Sequence, residues 1–216
     1  MWVEANVHSV KGQGTTHKVV TYETAARSGE PFEQAIQKFG IPNKAYPSCN
    51  RELKLRPIYS YIRELGWKKG TYQTAIGIRA DEIDRMSSYA KEEHIIYPLV
   101  KLGVTKADVL AFWKSQSFDL NLPEHRGNCL TCWKKSDRKL MTLALEDPDL
   151  FQFFRRMEKE HRFAGPGEHT SKGRMFFRRN RSVDDLFAEA QKPFKKFTDQ
   201  NFVYASELDE AGACGG

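Results

Sequence analysis

Two cysteines three residues apart, Cys129 and Cys132 in the stretch Gly127-Asn-Cys-Leu-Thr-Cys, are the sharpest chemical signal in the chain. In a turn, both thiolates of such a pair can reach one metal ion or one edge of an iron–sulfur cluster. The spacing also suits half a zinc site or a redox pair. A redox pair needs a helix N-terminus directly after the first cysteine and a thioredoxin-like setting, and neither is evident. Cys49, 80 positions upstream of Cys129, and Cys214 near the C-terminus can complete a four-thiolate set, and His125 is a further candidate ligand. Taken singly, Cys49 or Cys214 also reads as a small buried hydrophobe.

Three charged stretches could act beside these thiols. In Gly77-Ile-Arg79-Ala-Asp81-Glu82-Ile-Asp-Arg85 a β-rich run ends in an exposed turn. Arg79 and Arg85 suit forked contacts with phosphate or sulfate at the C-terminal end of a strand, where open parallel sheets bind ligands. A solvated, mutually salt-bridged loop explains the same residues. In Cys49-Asn-Arg51-Glu-Leu-Lys54-Leu-Arg56-Pro57, three cations crowd a helix start. A helix N-terminus disfavours cations unless an anion joins them. Finally, Lys172-Gly-Arg-Met-Phe-Phe-Arg178-Arg179-Asn-Arg181 interleaves rings with cations, as single-strand nucleic-acid binders do. Its bland reading is a connector whose Phe176 and Phe177 tuck into the core.

Elements must position these groups. Strands are expected at 2–7 and 18–22, and a short helix at 31–38. The helical pattern over 51–64 should begin near 56, because Pro57 fits only a first turn. Residues 71–79 read as a buried strand and 95–100 as a short apolar run. Thr105 caps a helix to about 115. After a loop over 123–135, helices are expected at 136–146 and 148–160, the second started by Asp147-Pro148. A basic Gly/Pro linker covers 164–173, and a last helix 182–190. The stripe Leu150, Phe151, Phe153, Phe154, Met157 is a packing face. This order predicts an α/β fold with a parallel sheet.

Composition sets the outer limits. The chain has 216 residues, 40% of them hydrophobic, enough for a folded core and too many for a disordered chain. No run approaches the roughly 18 apolar residues of a membrane helix, and Met-Trp-Val-Glu is no secretory leader. A cytoplasmic chain with reduced thiols and no membrane partner is the expectation. The net charge of +6 is local: residues 151–197 carry 12 basic and 6 acidic side chains, and the last 19 residues carry four acids and no Lys or Arg.

The motifs together resemble the phosphoadenosine phosphosulfate reductase family of the adenine nucleotide alpha-hydrolase, or PP-loop, group. The pieces are Cys49-Asn-Arg-Glu-Leu-Lys54-Leu-Arg-Pro57, Gly77-Ile-Arg79-Ala-Asp81-Glu82, Tyr97-Pro98-Leu99, the Thr105–Trp113 helix and Gly127-Asn-Cys129-Leu-Thr-Cys132, in the family's order over about 2–160. The resemblance implies a Rossmann-like parallel sheet, here N-terminally incomplete, because the family's Ser-Gly-Gly-Lys-Asp-Ser phosphate loop has no counterpart in 1–48. It implies a partial α/β domain over 1–163 and an extension over 164–216 of basic linker, short helix and acidic cysteine-bearing tail.

For the site, the resemblance implies a [4Fe-4S] cluster on Cys49, Cys129 and Cys132. The family's adjacent second cysteine is Asn50 here. Cys214 would then be the fourth ligand, or one iron would stay open. Cys214 would alternatively be the nucleophile, although Ala213-Cys214-Gly215 departs from the family's Glu-Cys-Gly. Lys54, Arg56, Arg79, Asp81, Glu82 and Arg85 would contact the nucleotide's anionic groups.

Three functions follow as expectations. In the first, an adenylyl sulfate is reduced to sulfite through a Cys214 S-sulfo intermediate, with a thioredoxin-like reductant. In the second, an ATP-dependent PP-loop enzyme transfers sulfur to nucleic acid gripped by 172–181. In the third, a non-catalytic binding module is stapled by zinc on Cys49, Cys129, Cys132 and Cys214 or His125.

Overall fold

The computed structural model describes residues 2–118, 122–167, 171–178 and 180–198. The chain opens with β1 (Trp2–Asn6), β2 (Thr16–Val20) and α1 (Glu30–Phe39). A helical turn at Ser48–Asn50, a π-turn at Arg51–Leu55 and α2 (Arg56–Glu64) run on as one helix. Then come β3 (Thr74–Ala75), β4 (Ile95–Ile96), α3 (Pro98–Lys101), α4 (Lys106–Lys114), α5 (Asp137–Glu146), α6 (Gln152–His161) and α7 (Val183–Ala190). Among the described residues no helix is long and apolar enough to cross a membrane.

The fold is mixed α/β, but its sheets are small. β1 pairs with β2 antiparallel, Trp2 opposite Val20 and Asn6 opposite Thr16. The connection over 7–15 is too short for a parallel crossover, which takes about a dozen residues or more, so the chain folds back as a hairpin. Parallel pairing is confined, among the described residues, to Thr74 with Ile95 and Ala75 with Ile96. The stretch 71–79, expected as a buried strand, extends for two residues only, and Ala75, Ile76 and Gly77 are exposed.

Contacts divide the chain into two compact units, one of Met1–Gly66 with His125–Phe197, the other built on Trp67–Glu124. The first holds a core of Phe151, Phe176, Met157, Leu140, Leu143 and Leu186, all inaccessible to solvent. The stripe on α6 and the turn before it packs as expected: Phe151 and Met157 are buried, with Leu150, Phe153 and Phe154 against them. Phe154 meets Phe176 edge to face at 4.4 Å, and Phe153 stacks on Phe32 at 5.6 Å. Both geometries suit the ring quadrupole.

Within the basic stretch 172–181, residues 173–177 are buried. Phe176 and Phe177 are fully buried. Arg174 is buried too, its Nη1 donating to the Phe39 carbonyl at 2.8 Å and so closing the C-terminus of α1. Glu158 on α6 fastens the segment. It accepts from the Phe176 N–H at 3.0 Å and the Val183 N–H at 2.9 Å, and burial pushes its carboxyl up to about 7 against the pull of both N–H groups.

Candidate thiol site

The thiols of the first unit sit on two loops. The turn after Asn128, itself in the left-handed region at φ 57°, closes with the Cys132 N–H donating to the Cys129 carbonyl at 3.2 Å. Lys135 braces it, its Nζ donating to the carbonyls of His125 at 2.8 Å and Gly127 at 2.6 Å. Trp133, directly after Cys132, buries its ring in the core beside Ile41 and Leu140. Cys49 lies in the helical turn after Pro47.

Residues 174–178 connect the two loops. Asn43 Nδ2 donates to the Met175 carbonyl at 2.8 Å, and the Lys44 N–H to the Arg178 carbonyl at 3.3 Å. On its other side, Arg178 reaches Asp137 at 2.6 Å, just beyond the Cys-x-x-Cys turn. Cys49 lies near enough to Cys132 for its charge to bear on that thiol. Burial pushes the Cys132 thiol up, the Lys134 backbone N–H pulls it down, and like charge on Cys129 and Cys49 raises it further. Thiolates are metal ligands, and a metal ion compensates the like charge that they bring together.

The donor set fits a metal centre by a second observation. His125 and Trp133, both nine-tenths buried, flank the thiol turn, and His125 Nδ1 and Trp133 Nε1 have no hydrogen-bond partner among the described residues. The other ring nitrogen of His125 lies 3.0 Å from Glu146 Oε2. Among the described residues, the group of three ligand atoms all within 4.8 Å of one another is Glu33, Glu160 and His161, not the thiols. Arg156 already occupies that acidic group as its cation, 2.8 Å from Glu33 and 3.5 Å from Glu160. The thiols are more widely spaced than the roughly 3.8 Å that a single tetrahedral zinc with bonds of about 2.3 Å imposes on its sulfurs.

The candidate anion-binding cations are largely engaged with the protein's own carboxylates. Glu52, fully buried, accepts from Thr15 Oγ1 at 2.7 Å, Arg51 Nε at 2.8 Å and Arg56 Nη1 at 3.2 Å. The anion that the basic helix start demands is therefore Glu52 itself. Lys54 is exposed and makes no ion pair among the described residues. In the second unit Arg79 pairs with Asp81 at 3.0 Å and Glu82 at 3.1 Å, and Arg85 with Glu82 at 2.5 Å. The Arg79 hydrogen bond holds the Asp81 carboxyl below its ordinary range, against a smaller effect of burial. Cys214 and Arg179 lie outside the described residues.

Sequence reasoning missed Glu52, Glu146, Glu158 and Asn43. Only Glu52 left a signal, standing beside Arg51 and four residues before Arg56 on one helix face. The others also reach partners 18 to 132 positions away.

The fold is mixed α/β, with Cys49, Cys129 and Cys132 on two loops of the first unit. Over 186 residues it is 32% identical to an uncharacterized nin region protein, ORF290, of Escherichia phage lambda, a match covering 86% of this chain. The chain spans 62% of that relative's length. No protein-family model matches the chain, and no solved structure matches it.

Proposed function

We propose that this chain carries the thiolate centre of an adenylyl-sulfate-reductase-like protein, with an iron–sulfur cluster on Cys49, Cys129 and Cys132. The observation that carries the reading is the convergence of Cys49 with a Cys-x-x-Cys pair 80 residues away, next to two buried polar groups without partners. The cluster, when bound, would act electrostatically near the sulfate.

The chain's own residues would do the rest. Lys54, the exposed cation on the helix that follows Cys49, attracts the sulfate or phosphate oxygens. In the second unit, Arg79 and Arg85 would take up such oxygens by exchanging Asp81 and Glu82 for them, the two carboxylates holding the guanidinium groups in place beforehand. The Cys214 thiolate attacks the sulfate sulfur, an S–S bond forms, and the bond from sulfur to the bridging oxygen breaks to release the nucleotide phosphate. A dithiol reductant then attacks Cys214 Sγ, releasing sulfite and leaving a mixed disulfide that its second thiol resolves.

A second reading, a metal-stapled binding module without catalysis, is favoured by the internal neutralisation of Arg51, Arg56, Arg79 and Arg85. The nucleic-acid sulfur-transfer reading draws less support, because Phe176 and Phe177 are buried and offer no stacking face.

Anaerobic reconstitution with ferrous iron and sulfide tests the choice. The reductase reading expects a brown protein that releases sulfite from an adenylyl sulfate in the presence of thioredoxin, with Cys214→Ser inactive. A colourless protein holding one zinc and releasing no sulfite would sink it in favour of the module.

A further inference from the structure

His125 has the arrangement of a metal ligand before any metal is considered. Its Nε2 faces the Glu146 carboxylate at 3.0 Å, so the proton belongs on Nε2, where it can be donated. Nδ1 is then left with a lone pair, buried and without a partner among the described residues. Metal-bound imidazoles characteristically donate their other ring N–H to a carboxylate, which fixes tautomer and ring direction. The residue stands four positions before Cys129, and the Lys135 ammonium ties its carbonyl into the same loop as both cysteines of the pair. The ring packs edge to face on Phe197 at 5.5 Å, which limits its rotation. Asn50, adjacent to Cys49, leaves the thiols at three.

We infer that His125, through Nδ1, is the fourth protein ligand of the centre held by Cys49, Cys129 and Cys132, with Glu146 as its orienting carboxylate. This rests on the thiol centre of the preceding subsection and specifies its ligand set. Cys214 is then free of the metal, and the set is three sulfurs and one nitrogen.

The test uses the full 216-residue chain, labelled with 15N-histidine, reconstituted anaerobically with iron and sulfide and reduced with dithionite. Pulsed EPR should show one strongly coupled histidine nitrogen. His125→Gln, whose amide can replace Nε2 at Glu146 but offers no Nδ1, should lose that coupling. Glu146→Gln should retain it and bind the metal about tenfold more weakly. Cys214→Ser should leave the spectrum unchanged. A cluster without nitrogen coupling, or coupling that survives in His125→Gln, overturns the inference and leaves the thiol centre standing. If no cluster forms, the thiol centre fails and His125 as its ligand fails with it.

Discussion

The two units bury their apolar side chains very differently. In the first, Phe151, Phe176, Phe177 and Leu143 have no solvent exposure, and two carboxylates, Glu52 and Glu158, are buried with their hydrogen bonds made. In Trp67–Glu124, among the described residues, Ile78 and Tyr97 are the buried hydrophobics, while Leu102, Phe112 and Ile83 remain 74%, 57% and 61% exposed. Apolar content is therefore not what separates them. A helix contributes core only where a second apolar face meets it, and α4 has none among the described residues of its unit. Caps and turns hold the second unit together, such as the reciprocal box in which Thr105 Oγ1 accepts the Asp108 N–H and Asp108 Oδ2 accepts from Thr105.

Matched truncations should break this comparison most visibly. Phe176→Ala removes a ring packed against Phe154 and Phe32 and should cost about 3–5 kcal/mol in urea unfolding. Phe112→Ala, on the exposed face of α4, should stay within about 0.5 kcal/mol. Equal losses would show that the second unit has a core after all.

The next largest effect is one of pH on the first unit. Glu158 has a folded value raised from 4.5 to about 7, so the folded protein keeps its proton longer than the unfolded chain does. Below about pH 4.5 both states are protonated and nothing is lost. Between there and about pH 7 the unfolded chain ionises first and stability falls, by at most roughly 3 kcal/mol, and the loss is complete above that range. Chemical denaturation from pH 4 to 8 should show that decline, and Glu158→Gln should flatten it while weakening the protein throughout, since its amide can accept only one of the two N–H groups. A slope unchanged in the variant would assign the pH dependence to other groups.

The smallest effect sharpens the contrast between local and global support. Ser182→Ala and Thr105→Ala each remove a capping box and about 1 kcal/mol of helix stability. In native-state hydrogen exchange the first should lower protection throughout α5, α6 and α7, which share a core, whereas the second should affect only the neighbourhood of α4. Equal spread from both would mean that the units unfold together.

What was legible in the sequence is what depends on near neighbours. Thr105 and Ser182 start α4 and α7 as expected, because a capping side chain bonds an N–H three residues on. The Cys-x-x-Cys turn and the aromatic face of α6 were equally readable. The start expected near Arg56 was not readable: the helix runs back through the π-turn Arg51–Leu55 to Ser48, so Pro57 lies within it, just after the π-turn.

Tertiary structure alone decided the rest. That Cys49 joins Cys132 depends on residues 174–178 lying between their loops, and no spacing along the chain records this. The basic stretch over 172–181 left two readings open, and Glu158 with the Phe32–Phe154 ring cluster decides for the burial of Phe176 and Phe177. Whether a cation greets a ligand or a neighbouring carboxylate is likewise set by packing: Arg56 meets buried Glu52, and Lys54, two residues earlier, meets solvent. Local hydrogen bonds are made within a turn of chain and are written in its residues. Burial and charge pairing need partners from distant segments, and only the folded chain names them.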